Sequence, residues 1–214
     1  MLEHVPHWLG QAMRGLRAGA DKLCIAEAGL GAASALIELS SPAFANGARL
    51  PPRFTTDGDG VSPPLLWGQL PAGTQSLALI VEDPDAPLPQ PIVHAIVWNI
   101  PPDERRLAEG AIRPDGAGDH RGRDVGRNSY FREGWLPPDP PTGHGDHAYA
   151  FQLFALAATD DPGGTPGRSA LVEAMAGKVL GAGLLIGTYS RGEPTQIGPI
   201  GAAAAGPGRL APGG

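Results

Sequence analysis

The sequence has few of the features that mark secreted, membrane or nucleic-acid-binding proteins. Its one cysteine, Cys24, cannot form an intrachain disulfide, which favours a reduced, cytoplasmic setting. No run of about 18 apolar residues occurs, so no transmembrane segment is predicted. The first residues, MLEHVPHWLGQAMRG, lack the basic and apolar regions of a secretory signal. The net charge is −6 and Lys and Arg form no block, so no nucleic-acid partner is expected.

Glycine and proline are abundant, with 32 and 24 residues. Such a composition alone would suggest disorder or many turns. Apolar residues nevertheless make up 42% of the chain and recur in short runs between the Gly and Pro clusters. Short strands joined by turn-rich loops fit both facts, and 214 residues suffice for one mainly β domain whose core needs no disulfide.

Three apolar runs rich in β-branched and aromatic residues predict strands, at residues 76–81, 92–100 and 148–156. Shorter strands are predicted over 36–39 and 184–189. A helix is predicted over 169–180, with Gly181 and Gly183 ending it. This order of elements is typical of an antiparallel β-sandwich with peripheral helices, not of alternating βαβ units.

The two ends of the chain differ from this pattern. Apolar residues at three- and four-residue spacing predict an amphipathic helix over residues 5–23. It would pack on its own domain or pair two subunits in a homodimer. We therefore divide the chain into an N-terminal helix and linker (1–34), one domain (35–192) and a Gly/Ala/Pro-rich tail (193–214) expected to be disordered.

Polar residues that could form a site lie at the ends of the strongest predicted strands. Asp83 and Asp85 follow the 76–81 strand in a stiff turn with Pro84 and Pro87, His94 lies early in the next strand, and 143–147 read GHGDH. From spacing alone these groups could converge on one pocket. They could equally be turn-capping aspartates, a core histidine and a surface loop.

In order and spacing, these motifs resemble the phosphatidylethanolamine-binding protein (PEBP) family, in its bacterial Raf-kinase-inhibitor-like branch. The resemblance extends over roughly residues 35–191. It rests on FTTDGDGVSPPLLW (54–67), DPDAP (83–87), the strand of His94 that ends VWNIP (97–101), PPTGHGDHAY (140–149) and GTY (187–189).

The resemblance implies a two-sheet antiparallel β-sandwich with a small pocket for a phosphate- or carboxylate-bearing group, such as a phospholipid head group. It assigns Asp83, His94, His147 and Tyr149 to the pocket, and Pro140 and Pro141 to its wall. Around them, the same motifs supply Pro84, Asp85, Pro87, Gly143, His144 and Gly145. The two pocket histidines would offer N–H donors and, when protonated, positive charge, so we expect anion affinity to fall as pH rises.

The chain departs from the family before the double proline, where it reads GWLPPD (134–139). Pro137 has no N–H to donate. Asp139, which we include among the ligand-binding candidates, would repel an anion if its carboxylate faced inward.

A non-catalytic binding protein is the function we favour, with no cofactor or metal. The resemblance also raises a protein partner, such as a kinase or a protease. The alternative is a metal-assisted hydrolase acting on a small phosphate or carboxylate ester, because Asp83, His94, His144 and His147 include residue types that bind zinc. Neither HExxH nor GxSxG occurs in the sequence.

Overall fold

Nine strands and one α-helix form the ordered frame of the computed structural model, which describes residues 19–26, 35–114, 123–158 and 161–192. The helix, α1, spans Arg168–Met175. The strands are β1 Ala35–Leu36, β2 Leu39–Ser40, β3 Leu65–Trp67, β4 Ser76–Asp83, β5 Ile92–Ile100, β6 Arg106–Leu107, β7 Asp124–Val125, β8 His147–Leu156 and β9 Val179–Tyr189.

The strands form two sheets. A six-stranded sheet has the order β1-β9-β8-β4-β5-β7, and a three-stranded sheet has the order β2-β3-β6. Pairing is antiparallel except between β1 and β9. The predicted mainly β, two-sheet sandwich is therefore confirmed, with one parallel pair added.

The central strands are buried on both faces. All eight residues of β4 are buried. On one face Leu77, Leu79 and Val81 join the core shared with the small sheet, and on the other Ala78 and Ile80 pack with residues of α1. Burial of each large apolar side chain stabilises the fold by about 1.5–3 kcal/mol. Because both faces are covered, these strands appear in the sequence as continuous apolar runs.

The prediction that Gly181 and Gly183 end a helix is wrong. The helix ends at Met175, and both glycines lie inside β9. A Cβ on Gly181 would lie 2.7 Å from the carbonyl oxygen of Ala35, and one on Gly183 would lie 2.6 Å from that of Ile37. These glycines let the first segment of the domain approach β9 closely.

The single strand predicted over 36–39 is also wrong, because the segment divides between the two sheets. Ala35–Leu36 forms β1 in the large sheet, and Leu39–Ser40 forms β2 in the small one. Between them the Ile37 N–H donates to the carbonyl of Ala182, 2.9 Å away.

The N-terminal segment Gly19–Ala26 lies against the outer face of the large sheet. Its 3-10 turns, Ala20–Lys22 and Cys24–Ala26, stand where the end of an α-helix was predicted, and residues 5–18 of that helix lie outside the described residues. The linker and the tail, 193–214, also lie outside them. Among the described helices none has the length and apolar character needed to cross a membrane.

Candidate functional site

The strand order brings the predicted site residues together at one end of the central strands of the large sheet. β4 lies between β5 and β8 and is antiparallel to both. The end of β4, at Asp83, therefore meets the beginnings of β5 and β8, which carry His94 and His147. His147 and Tyr149 are two residues apart on β8 and so point to the same face. All four side chains line one cavity.

A chain of hydrogen bonds fixes Asp83 and His147. His147 Nδ1 donates to Asp83 Oδ2 at 2.7 Å, and His147 Nε2 lies 2.6 Å from Nδ1 of His144. The other carboxylate oxygen of Asp83 accepts the Asp85 N–H at 2.8 Å. With both ring nitrogens on protein groups, His147 has no N–H left for a ligand, contrary to the expectation that it donates one.

His94 is bound on one side only. Its Nδ1 lies 2.7 Å from the carbonyl oxygen of Leu136, which can only accept, so Nδ1 carries the proton. Nε2 is buried and has no hydrogen-bond partner among the described residues. Burial lowers the pKa of His94. This effect outweighs that of the nearby Asp83 charge, which raises the pKa. The ring is therefore neutral at physiological pH, and Nε2 presents a lone pair.

Tyr149 contributes a hydroxyl beside this imidazole. The two rings meet edge to face with centroids 5.0 Å apart. Burial, followed by the charge of Asp83, raises the pKa of Tyr149 well above its usual value. The phenol therefore keeps its proton and can donate a hydrogen bond to a ligand oxygen.

Asp139 lies on the cavity wall, but its charge is compensated. Arg191 donates through Nη1 to Asp139 Oδ1, which also accepts the Thr56 hydroxyl at 2.9 Å. The same guanidinium bonds Asp57, with Nε 2.9 Å from Oδ1. Burial lowers the pKa of Arg191, but the bonds to Asp57 and Asp139 outweigh it, and the net shift is upward. The repulsion expected from Asp139 is thus reduced by a buried cation.

The cavity has a volume of about 190 Å³. Tyr130 and Arg132 line it and are exposed to solvent, and we call this exposed part of its wall the rim. A loop organised by buried Asn128 presents both residues, because the Asn128 Oδ1 accepts the N–H groups of Tyr130 at 2.9 Å and of Arg132 at 3.3 Å. The rim thus combines an aromatic ring with a cationic group, while much of the wall is apolar, including Leu136, Pro137, Pro140 and Pro141.

The remaining predicted residues surround the cavity. Pro87 lines it, and Asp85 Oδ2 accepts the Ala148 N–H at 2.8 Å, which ties the turn after β4 to β8. Gly143 and Gly145 have φ of 79° and 101°, a backbone conformation that favours glycine and sets the turn carrying His144. The Pro84 carbonyl accepts the Gly19 N–H at 2.9 Å, which links the turn to the N-terminal segment.

The site predicted from the sequence did not include four residues that line the cavity or compensate its charge: Arg191, Thr56, Arg132 and Tyr130. The carboxylates of Asp57 and Asp139 were a signal that a buried cation was needed, but no spacing rule connects them to an arginine more than 50 positions away.

Among the described residues, no group of three or more His, Cys, Asp and Glu side chains is arranged to hold a metal ion.

Comparison with known proteins gives consistent matches over the domain. The sequence model of the family described as Phosphatidylethanolamine-binding protein matches residues 40–190. A UPF0098 protein of Methanothermobacter thermautotrophicus is 40% identical over 156 residues, which cover 73% of this chain and 100% of that protein. LppC of Mycobacterium tuberculosis, named as a candidate lipoprotein, is 40% identical over 154 residues, which cover 72% of each chain. Cytoplasmic localisation of the present chain stays a prediction.

Solved structures agree with the sequence matches. CT736 of Chlamydia trachomatis, described as a PEBP homologue, is 34% identical with a TM-score of 0.65, and the match covers 74% of this chain and 99% of that one. Escherichia coli YbcL, described as a member of the mammalian PEBP family, is 28% identical with a TM-score of 0.68, and the match covers 73% and 99% of the two chains.

Proposed function

Because this chain belongs to the phosphatidylethanolamine-binding protein family, we propose that it is a non-catalytic protein whose cavity binds a small phosphate- or carboxylate-bearing group, such as a phospholipid head group. Family membership supports a binding role in general. The nature of the ligand is argued from the site.

One observation carries the proposal: a donor, an acceptor and a cation share a cavity in which the wall carboxylate is compensated. The Tyr149 hydroxyl can donate to an anionic oxygen, and the Arg132 guanidinium at the rim can attract the charge. Arg191 pairs with Asp139, which reduces the repulsion that an entering anion would meet. The volume of about 190 Å³ suits a head-group-sized ligand better than a whole lipid.

Titration calorimetry with phosphoethanolamine tests the proposal. Replacing Arg132 with Gln should weaken binding several-fold because it removes the cation at the rim. Arg127→Gln is the matched control, since Arg127 is also exposed but lines a different surface depression together with Ser129 and Gly167. Equal loss in both variants, or no binding by the unmodified protein at millimolar concentration, would count against this site.

The Tyr149 hydroxyl gives a second, independent arm. Tyr149→Phe removes one charge-assisted hydrogen bond and should weaken phosphoethanolamine binding about tenfold. Tyr189→Phe is the control, because its hydroxyl donates to Asp57 at 2.7 Å and does not line the cavity.

Neither of the two nucleophiles considered for a hydrolase, Ser62 and Cys24, is among the described residues that line the cavity. Ser62 is buried with its hydroxyl oxygen accepting the Ile112 N–H at 3.2 Å, and Cys24 is buried on the outer face of the large sheet. Metal analysis combined with a screen of phosphate and carboxylate esters separates the two functions. Stoichiometric zinc that is lost in His94→Ala would favour the hydrolase. A protein partner and a homodimer stay predictions.

A further inference from the structure

We propose that the cavity selects a ligand that itself carries a hydrogen-bond donor, such as a protonated phosphate oxygen or the ammonium group of phosphoethanolamine, and that Nε2 of His94 is the atom that accepts this hydrogen bond. The inference rests on the proposed anion-binding function and specifies its ligand.

The protein fixes the tautomer of His94 without reference to any ligand. The Leu136 carbonyl holds the ring proton on Nδ1, 2.7 Å away. The same residue reinforces the arrangement, because its N–H donates to the His94 carbonyl at 2.8 Å. A neutral ring with its proton on Nδ1 has only a lone pair at Nε2. That lone pair belongs to a buried atom with no protein partner among the described residues, on a side chain that lines the cavity.

The groups that face the ring favour this neutral state over an imidazolium. Burial lowers the pKa of His94, the nearby His147 also lowers it, and the Asp83 charge and the Leu136 carbonyl oppose these effects only in part. Tyr149, at 5.0 Å between ring centroids, keeps its own proton, and Trp135 covers the ring from 6.1 Å with an uncharged surface. At neutral pH the cavity therefore presents an acceptor on His94 beside a donor on Tyr149.

This pair of groups distinguishes oxyanions that are otherwise alike in shape. Inorganic phosphate keeps at least one proton at neutral pH, so one oxygen can donate to His94 while another accepts from Tyr149. Sulfate is tetrahedral and anionic but has no proton at this pH, so one of its oxygens would face the His94 lone pair. The lone pair would then be left without a hydrogen bond and would repel the ion.

The test compares inorganic phosphate and sulfate by titration calorimetry at pH 7.5, at equal ionic strength and in a buffer that contains neither ion. We expect phosphate to bind at least tenfold more tightly than sulfate. In His94→Asn the ratio should fall to threefold or less, because the asparagine amide can still donate toward Leu136 while the acceptor at Nε2 is removed. A melting curve confirms that the variant is folded. The ratio of phosphate affinity to sulfate affinity in the unmodified protein tests the inference even if the variant does not fold.

Each outcome has a distinct meaning. Equal binding of both ions by the unmodified protein overturns the inference and leaves the anion pocket standing. A phosphate preference that persists in His94→Asn overturns the assignment to His94. Binding of neither ion, together with no binding of phosphoethanolamine, overturns the proposed function itself.

Discussion

Two parallel contacts join the guanidinium of Arg191 to the carboxylate of Asp57, with Nε 2.8 Å from Oδ2 and Nη2 2.7 Å from Oδ1. The remaining nitrogen, Nη1, bonds Asp139 on the cavity wall. One buried arginine thus connects the loop before β3 to the loop before β8. Its planar fork satisfies both carboxylates, a geometry that the single ammonium of lysine cannot reproduce.

Arg191→Lys is therefore expected to lower the free energy of unfolding by about 2 kcal/mol, although the charge is kept. Phosphoethanolamine affinity should fall as well, because Asp139 loses part of its compensation at the cavity wall. Urea unfolding and calorimetry measure the two effects. Arg132→Lys is the control, with an expected stability change of less than about 0.5 kcal/mol at an exposed position. Equal stability changes in the two variants would contradict the role given to the fork.

The sequence predicted what depends on local pattern. β5 was predicted with its observed bounds, and β4 and β8 nearly so, since each is a continuous apolar run between turn residues. Residues of the motifs at the ends of these strands also line one cavity. By contrast, the link between Arg191 and Asp57 and the engagement of both nitrogens of His147 depend on contacts between distant segments, which spacing does not encode.

The glycines after α1 illustrate the same limit. In the sequence, Gly181 and Gly183 resemble the end of a helix. In the fold they allow the backbone of residues 35–37 to lie close to the backbone of β9. Gly183→Ala should therefore destabilise the protein by about 1–3 kcal/mol, because the new methyl group would lie 2.6 Å from the Ile37 carbonyl oxygen. Gly164→Ala is the control, since nothing lies within 4 Å of its Cβ position. Thermal unfolding that places both variants at the same midpoint would refute the close approach.

Glu82 is a buried carboxylate that holds the N-terminal segment. Its Oε2 accepts the Cys24 N–H at 2.8 Å and the Gln152 Nε2–H at 2.7 Å, and its Oε1 accepts from Nε of Arg168 at 2.6 Å. All three partners are donors, so an amide at this position would place an NH2 group against one of them. The segment on the outer face of the sheet therefore depends on this carboxylate.

Glu82→Gln is expected to cost about 2–4 kcal/mol of unfolding free energy and to loosen residues 19–26. Cys24 has no exposed surface, so the rate at which a thiol reagent labels it reports this loosening. We expect labelling to accelerate at least tenfold. Glu109→Gln breaks only an exposed ion pair with Arg53 and should change neither quantity appreciably. Unchanged labelling in Glu82→Gln would show that other contacts retain the segment.

The depressed pKa of His94 predicts how stability depends on pH. Burial favours the neutral ring in the folded protein, whereas the unfolded chain binds a proton with a pKa of about 6.5. Below that value the unfolded state holds more protons, so this histidine's contribution to the unfolding free energy falls as pH falls, by up to about 1.4 kcal/mol per pH unit. Above it the contribution is constant. Urea unfolding between pH 5 and 8 should therefore measure the unfolding free energies of the unmodified protein and of His94→Asn. We expect the difference between the two free energies to be constant above about pH 6.5. Below that pH the unmodified protein should lose stability relative to the variant. Parallel curves over the whole range would mean that His94 titrates alike in the folded and unfolded chains, and the neutral acceptor at Nε2 would lose its basis.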